Sequence, residues 1–181
     1  MADFPTLIDY TQTVIGPGSQ GCIEDYWGWT SGYVPTTASS GAWPTANKAI
    51  FLPFRIAYPS TVVKMFWING STVGTNHVDV GIYDSQGNQL VHSGSTLTSG
   101  ASAVQSVDIA DTLLQRGLYY MAMVIDGTTD TTNRAIPAAA ACNAVGLQEM
   151  TSAFTLPATA TYAAPTSAWL PGIFATLQTT I

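Results

Sequence analysis

The chain has 181 residues, of which 9% are charged, and carries a formal net charge of −6, against roughly 25% charged positions in an ordinary soluble domain. Its five cations, Lys48, Arg55, Lys64, Arg116 and Arg134, are scattered and build no basic stripe, which excludes nucleic acid and opposes an anionic membrane surface. One self-sufficient core burying about 70% of the unfolded surface is expected at this length, and no run is apolar for the roughly 18 residues of a membrane span.

The start, Met1-Ala2-Asp3-Phe4-Pro5, has neither a basic n-region nor an apolar h-region, so no secretory signal is visible and synthesis and folding in the cytosol are expected. Residues 1–45 hold Tyr26, Trp27, Trp29, Tyr33 and Trp43 among Gly, Ser, Thr and Pro, with almost no aliphatic periodicity. They read as an irregular aromatic arm ahead of a β-domain over 46–181. Flat rings beside Asn, Asp and Gln suit sugar stacking. The same rings also bury against a neighbouring subunit or plug the open end of a sandwich, and this second reading is favoured. The five aromatics are therefore the candidate partner or glycan contacts, and removal of residues 1–45 is expected to leave a folded sandwich.

From residue 50 the pattern turns to strands. Over 50–56, Ile50, Leu52, Phe54 and Ile56 alternate with Phe51, Pro53 and Arg55, and Pro53 marks an edge strand. The run 62–68 is apolar on both faces apart from Lys64 and ends at Asn69-Gly70. Over 77–84, Val78, Val80 and Ile82 share a face; Asp84-Ser85-Gln86-Gly87-Asn88 then turns the chain into a strand at 89–92. Strands follow at 103–109 and 118–125. In the latter Tyr119, Met121, Met123 and Ile125 oppose Tyr120, Ala122 and Val124, so both faces read as buried, as in the middle of a sandwich. Beyond Asp126 the pattern predicts a polar loop to Asn133, an Ala-rich stretch interrupted by Pro137, and strands at 145–150 and 174–180. Tyr162, Pro165, Trp169 and Pro171 form a second irregular, aromatic extension, expected with the first to wrap a neighbour or line a binding surface. Short strands between turn residues, with no helical periodicity, predict an all-β, antiparallel, jelly-roll-like β-sandwich.

Little of the chain carries chemistry. His77 and Asp79 share a strand face at i, i+2, the only pairing with a hydrolytic look, but no Gly-x-Ser-x-Gly elbow accompanies them. Asp84, Gly87 and Asn88 read as a hairpin turn, since Ser95 stands where a calcium loop needs Glu. The acidic pairs Asp108 and Asp111, and Asp126 and Asp130, would suit a lone structural Ca²⁺, but no motif supports one. No phosphate-binding glycine motif occurs. Cys22 and Cys142 have no ligand spacing and read as two buried free thiols, with a long-range disulfide as the alternative. No catalytic residue, cofactor or metal ligand is assigned. Asn69-Gly70-Ser71 is a glycosylation sequon only for a eukaryotic secreted chain.

The segments Asn47-Lys48-Ala49-Ile50-Phe51-Leu52-Pro53-Phe54-Arg55, Val78-Asp79-Val80-Gly81-Ile82-Tyr83-Asp84-Ser85-Gln86-Gly87-Asn88 and Gly117-Leu118-Tyr119-Tyr120-Met121-Ala122 resemble a group of β-sandwich proteins encoded in tailed-phage structural gene clusters. The resemblance covers residues 46–126, and similar hairpins recur in carbohydrate-binding and adhesion modules. It implies a virion structural role, after synthesis in the host cytoplasm, with major capsid or tail proteins as partners. It transfers no catalytic residue. Joined to the low charge, which makes a surface cheap to desolvate, it points to a capsid decoration or cement subunit acting by protein–protein binding. The alternative is a carbohydrate- or receptor-binding module of a tail fibre or baseplate. A homo-oligomer, with trimeric symmetry suiting both, is expected.

Overall fold

The structure is a computed structural model that describes residues 12–15, 39–135, 139–144 and 146–178. Its strands are β1 (Gln12–Ile15), β2 (Ser39–Ala42), β3 (Ala49–Ile56), β4 (Ser60–Ile68), β5 (His77–Asp84), β6 (Gln89–His92), β7 (Thr96–Leu97), β8 (Val104–Leu114), β9 (Gly117–Ile125) and β10 (Thr131–Ala135). A short helix, α1 (Ala139–Ala144), and strands β11 (Gln148–Met150), β12 (Leu170–Pro171) and β13 (Ile173–Gln178) follow among the described residues. All pairings are antiparallel.

Two sheets face each other, one in the order β1-β13-β4-β8, the other β11-β3-β9-β5-β6 with β7 also on β5. The period-2 pattern of each strand fills the space between them. Ile50, Leu52, Phe54 and Ile56 of β3, Val78, Val80 and Ile82 of β5, and Met121, Met123 and Ile125 of β9 meet Val62, Met65 and Trp67 of β4 and Ile173, Ala175 and Leu177 of β13. The fold is thus an all-β, antiparallel sandwich. A third sheet, β12-β10-β2, joins the far end of β4 through the Asn69–Thr132 bridge. Trp43, Cys142, Leu147, Trp169 and Leu170 close the core there.

The strand expectations over 50–125 hold, with instructive differences. β3 is not the outermost strand, because β11 pairs with it, but only over Ala49–Phe51. Pro53 therefore lies where β3 has no outer partner among the described residues, and its missing N–H breaks no ladder. In β4 the register shifts between Val62 and Lys64 against both neighbours. Val62 and Met65, three apart, consequently both point into the core, which an unbroken two-residue period forbids. The segment expected as a polar loop up to Asn133 ends in β10, since Thr131, Thr132 and Asn133 find backbone partners on β2. Sequence patterning missed this strand because it is polar and lacks alternation.

The second sheet is apolar on its outer side as well. Ala49, Phe51, Tyr83, Ala122 and Val124 pack there under Ala153, Leu156 and Ala160, with Phe154 and Tyr162 beside them. The second irregular extension thus covers its own domain instead of wrapping a neighbour, and Trp169 is buried in the core. Residues 1–45 are likewise not wholly an irregular arm: β1 extends one sheet, β2 another, and Trp43 is 1% exposed. The boundary at residue 45 does not divide the fold, because the chain on both sides of it enters the same core.

Truncation at residue 45 is therefore expected to destabilise the body, in contrast to the sequence-based expectation. Trp43→Ala alone should cost about 3–5 kcal/mol, read as a lower urea midpoint by circular dichroism. A midpoint within experimental error of the parent chain would show that Trp43 is dispensable to the core.

Candidate functional site

With so few charged side chains, each one's position is informative. Lys48 and Glu149 are both buried and form an ion pair of 3.1 Å. Lys48 Nζ also donates to Thr166 Oγ1 and Ser167 Oγ, each at 3.0 Å. Glu149 accepts from the Thr166 N–H and hydroxyl at 3.0 and 2.9 Å and from the Ser167 N–H at 2.9 Å. Burial pushes the Glu149 carboxyl up, but the hydrogen bonds from Thr166, Lys48 and Ser167 outweigh it and hold the group below its ordinary range. Lys48 O accepts the Trp43 indole N–H at 2.8 Å. One network thereby ties the chain before β3, strand β11 and the cover after it.

Of the other cations, Lys64 meets Asp108 in an exposed pair at 3.1 Å, and such pairs contribute only about 0–1 kcal/mol. Arg55 and Arg116 are exposed. Arg134 is different. Its guanidinium lies 3.7 Å from the centroid of the Trp169 ring, it enters no ion pair among the described residues, and its buried Nε has no hydrogen-bond partner. Burial lowers its pKa. Trp169 Nε1 and Thr132 Oγ1 are also buried without partners, and each such group left unsatisfied costs about 1–3 kcal/mol.

Each histidine faces a carboxylate, in pairings that sequence spacing did not indicate. His77 Nδ1 lies 3.2 Å from Asp126 Oδ2, and His92 Nδ1 lies 2.9 Å from Asp79 Oδ2. His77 and Asp79, which share a strand face, are not paired with each other. Antiparallel pairing sets His92 opposite Gly81, bringing its ring diagonally to Asp79 from the neighbouring strand. Asp79, fully buried, also accepts from Ser93 Oγ at 3.1 Å and from the Leu156 N–H at 2.9 Å. Among the described residues no Ser, Thr or Cys side chain hydrogen-bonds to the other nitrogen of either ring. Each is an acid–imidazole pair with no hydroxyl or thiol on its imidazole among the described residues, and Asp79 anchors the 151–167 cover at Leu156.

The acidic loops resolve into separate tasks. Asp84 accepts from the Gln86 and Asn88 N–H groups at 2.9 and 2.8 Å and from Asn88 Nδ2 at 2.8 Å. It organises the hairpin, as expected, around Gly87 at φ 89°. A side chain at Gly87 would also meet Ala160 O at 2.6 Å. Asp126 accepts the His77 N–H at 2.9 Å. Asp130, fully buried, accepts from the Thr75 and Asn76 N–H groups and from Thr98 Oγ1. Asp108 is paired to Lys64, so the acidic pairs share no ligand sphere. No group of three or more potential metal ligands occurs among the described residues. Asn69 is buried, accepting from Trp67 Nε1 and donating to Ser99 O and Gln105 Oε1, so the folded chain does not present the sequon. Cys142 is a free, buried thiol.

Of the five aromatic candidates, Tyr26, Trp27, Trp29 and Tyr33 lie outside the described residues. Trp43 is in the core, edge-on to Trp169 at 5.9 Å between ring centroids, so its role as a partner or glycan contact is corrected: the indole packs internally and its N–H is already used. What sequence reasoning missed was Arg134 with Trp169 and Thr132, which lie apart in sequence and carry no motif.

Compared with protein-family models, curated proteins and solved structures, the chain matches none.

The lowered Glu149 carboxyl makes stability pH-dependent. A carboxyl held below its unfolded value, about 4.3, contributes in full above that value and loses its contribution as pH falls through the folded pKa. Unfolding midpoints should therefore be level near neutrality and fall in acid. Lys48→Met, which strands a buried carboxylate, should cost about 3–5 kcal/mol at pH 7, whereas Lys48→Met with Glu149→Leu should recover much of that loss. Urea titrations across pH measure both, and a double variant no more stable than Lys48→Met would contradict this account.

Proposed function

We propose that this chain is a structural subunit of a tailed-phage particle, acting by protein–protein binding as a capsid decoration or cement protein. Jelly-roll-like wiring and residence in the virion, reached from the host cytoplasm, belong to the same proposal. The observation that carries the binding reading is β8. It spans Val104–Leu114, is the edge of its sheet and pairs only with β4 among the described residues. Ser106, Asp108 and Ala110 are exposed on its outer face while Val107 and Ile109 lean on the core.

Long edge strands are liabilities that folded proteins blunt or use, and main-chain pairing along such an edge is a common mode of recognition. Val104 is 54% and Leu113 56% exposed at the two ends of this strand. On a chain with 9% charged residues, pairing along the edge desolvates few ions. Asp108, Asp111 and the irregular register near Val62 blunt the edge against indiscriminate pairing, so a partner must match its shape and charge. The phage assignment is supported by the resemblance over residues 46–126. The glycan-module alternative has lost Trp43 as a stacking platform, leaving Tyr26, Trp27, Trp29 and Tyr33, which lie outside the described residues.

Purified particles test this reading. The protein should be present at a copy number commensurate with the capsid lattice, and Val104→Asp with Leu113→Asp should lower that occupancy while leaving the unfolding midpoint of the free chain nearly unchanged, since exposed substitutions usually act within about 0.5 kcal/mol. Full occupancy of the double variant would remove β8 as the contact; absence of the protein from particles would remove the virion role.

A further inference from the structure

We propose that Arg134, Trp169 and Thr132, at the closed end of the core, form a binding site for a single carboxylate group. Thr132 and Arg134 alternate along β10 and so share one face of the sheet. Gly41 stands directly opposite Thr132, and a Cβ at Gly41 would collide with Arg134 Nε. The arginine side chain therefore runs over the bare backbone of Gly41 and alongside Thr132, and its guanidinium stacks on the Trp169 ring at 3.7 Å. Buried Arg134 Nε, Trp169 Nε1 and Thr132 Oγ1 all lack a hydrogen-bond partner.

Packing over the indole leaves the buried Nε–H without an acceptor. Lys48, Asp79 and Glu149 are engaged, and the one further buried side-chain atom without a partner among the described residues is the acceptor Asp130 Oδ1; Arg134, Trp169 and Thr132 instead bring unmatched N–H and O–H groups to side chains that meet, where an acceptor can be supplied from outside. A planar fork with neighbouring N–H and O–H groups matches the two oxygens of a carboxylate. One cation balances one negative charge; a phosphate dianion would leave charge uncompensated in a partly desolvated site. The carboxylate can come from a free small acid or from an Asp, Glu or chain terminus of a second copy. The site is independent of the β8 edge and stands whether or not the chain belongs to a particle.

Titration of the ¹⁵N-labelled full chain with sodium acetate, replacing sodium chloride at constant ionic strength, tests the proposal. The Trp169 indole N–H and Arg134 Nε–H resonances should shift together and saturably, and Arg134→Lys, which keeps charge but loses the planar fork, should weaken the apparent affinity by about tenfold or more. Thr132→Val should weaken it by a smaller factor. If the two resonances instead shift together on concentrating the protein without acetate, and Arg134→Lys abolishes that response, a second copy supplies the carboxylate. Resonances that move in neither series, or a Trp169 indole resonance that moves equally in Arg134→Lys, overturn the site. The parent titration decides the matter even if the variants fold poorly.

Discussion

The fold depends on the double burial of its second sheet. β3 and β9 of that sheet carry apolar side chains on both faces, and β5 adds Tyr83 to the outer one, so pairing with the first sheet covers only half of what must leave water. The segment 151–167 supplies the other cover. An irregular cover has backbone groups of its own to satisfy, and two buried carboxylates do much of this. Asp79 accepts the Leu156 N–H, and Glu149 accepts those of Thr166 and Ser167. Tyr83 and Tyr162 add hydroxyl donors to Pro157 O and Asp84 O at 2.6 and 3.0 Å. Burial raises the pKa of both phenols, moving them further from ionisation.

This economy explains why the few ionisable groups among the described residues look more architectural than chemical. His92 and Ser93 serve Asp79, His77 serves Asp126, and Lys48 serves Glu149. A polar group buried in a low-charge protein is expensive unless paired, and pairing here joins segments distant in the chain. Arg134 departs from that pattern: a desolvated cation resting on an aromatic face with its Nε unmatched.

The same low charge shapes the exterior. The β8 edge keeps one ladder of backbone groups without a strand partner among the described residues, and its acidic side chains and register irregularity limit which chains can pair with it. Under the proposed function, association by this edge would draw on backbone hydrogen bonds and modest apolar contact.

Much of the fold was legible in the chain itself. The alternation Ile50, Leu52, Phe54, Ile56 and the two apolar faces of 118–125 specify strands and their inward faces, because a two-residue side-chain period is a local property of extended backbone. The Asp84–Asn88 turn was equally legible, since its hydrogen bonds close within five residues. Tertiary structure alone decided what those local rules do not encode. It made Thr131–Ala135 a strand by providing β2 and β12 as partners, moved Trp43 from an expected contact surface into the core, and folded the aromatic C-terminal stretch over its own sheet. It also matched His92, not His77, to Asp79, and set Arg134 on Trp169. These are meetings of residues far apart in sequence, fixed by strand order and register, and no periodicity or composition along a single segment carries that information.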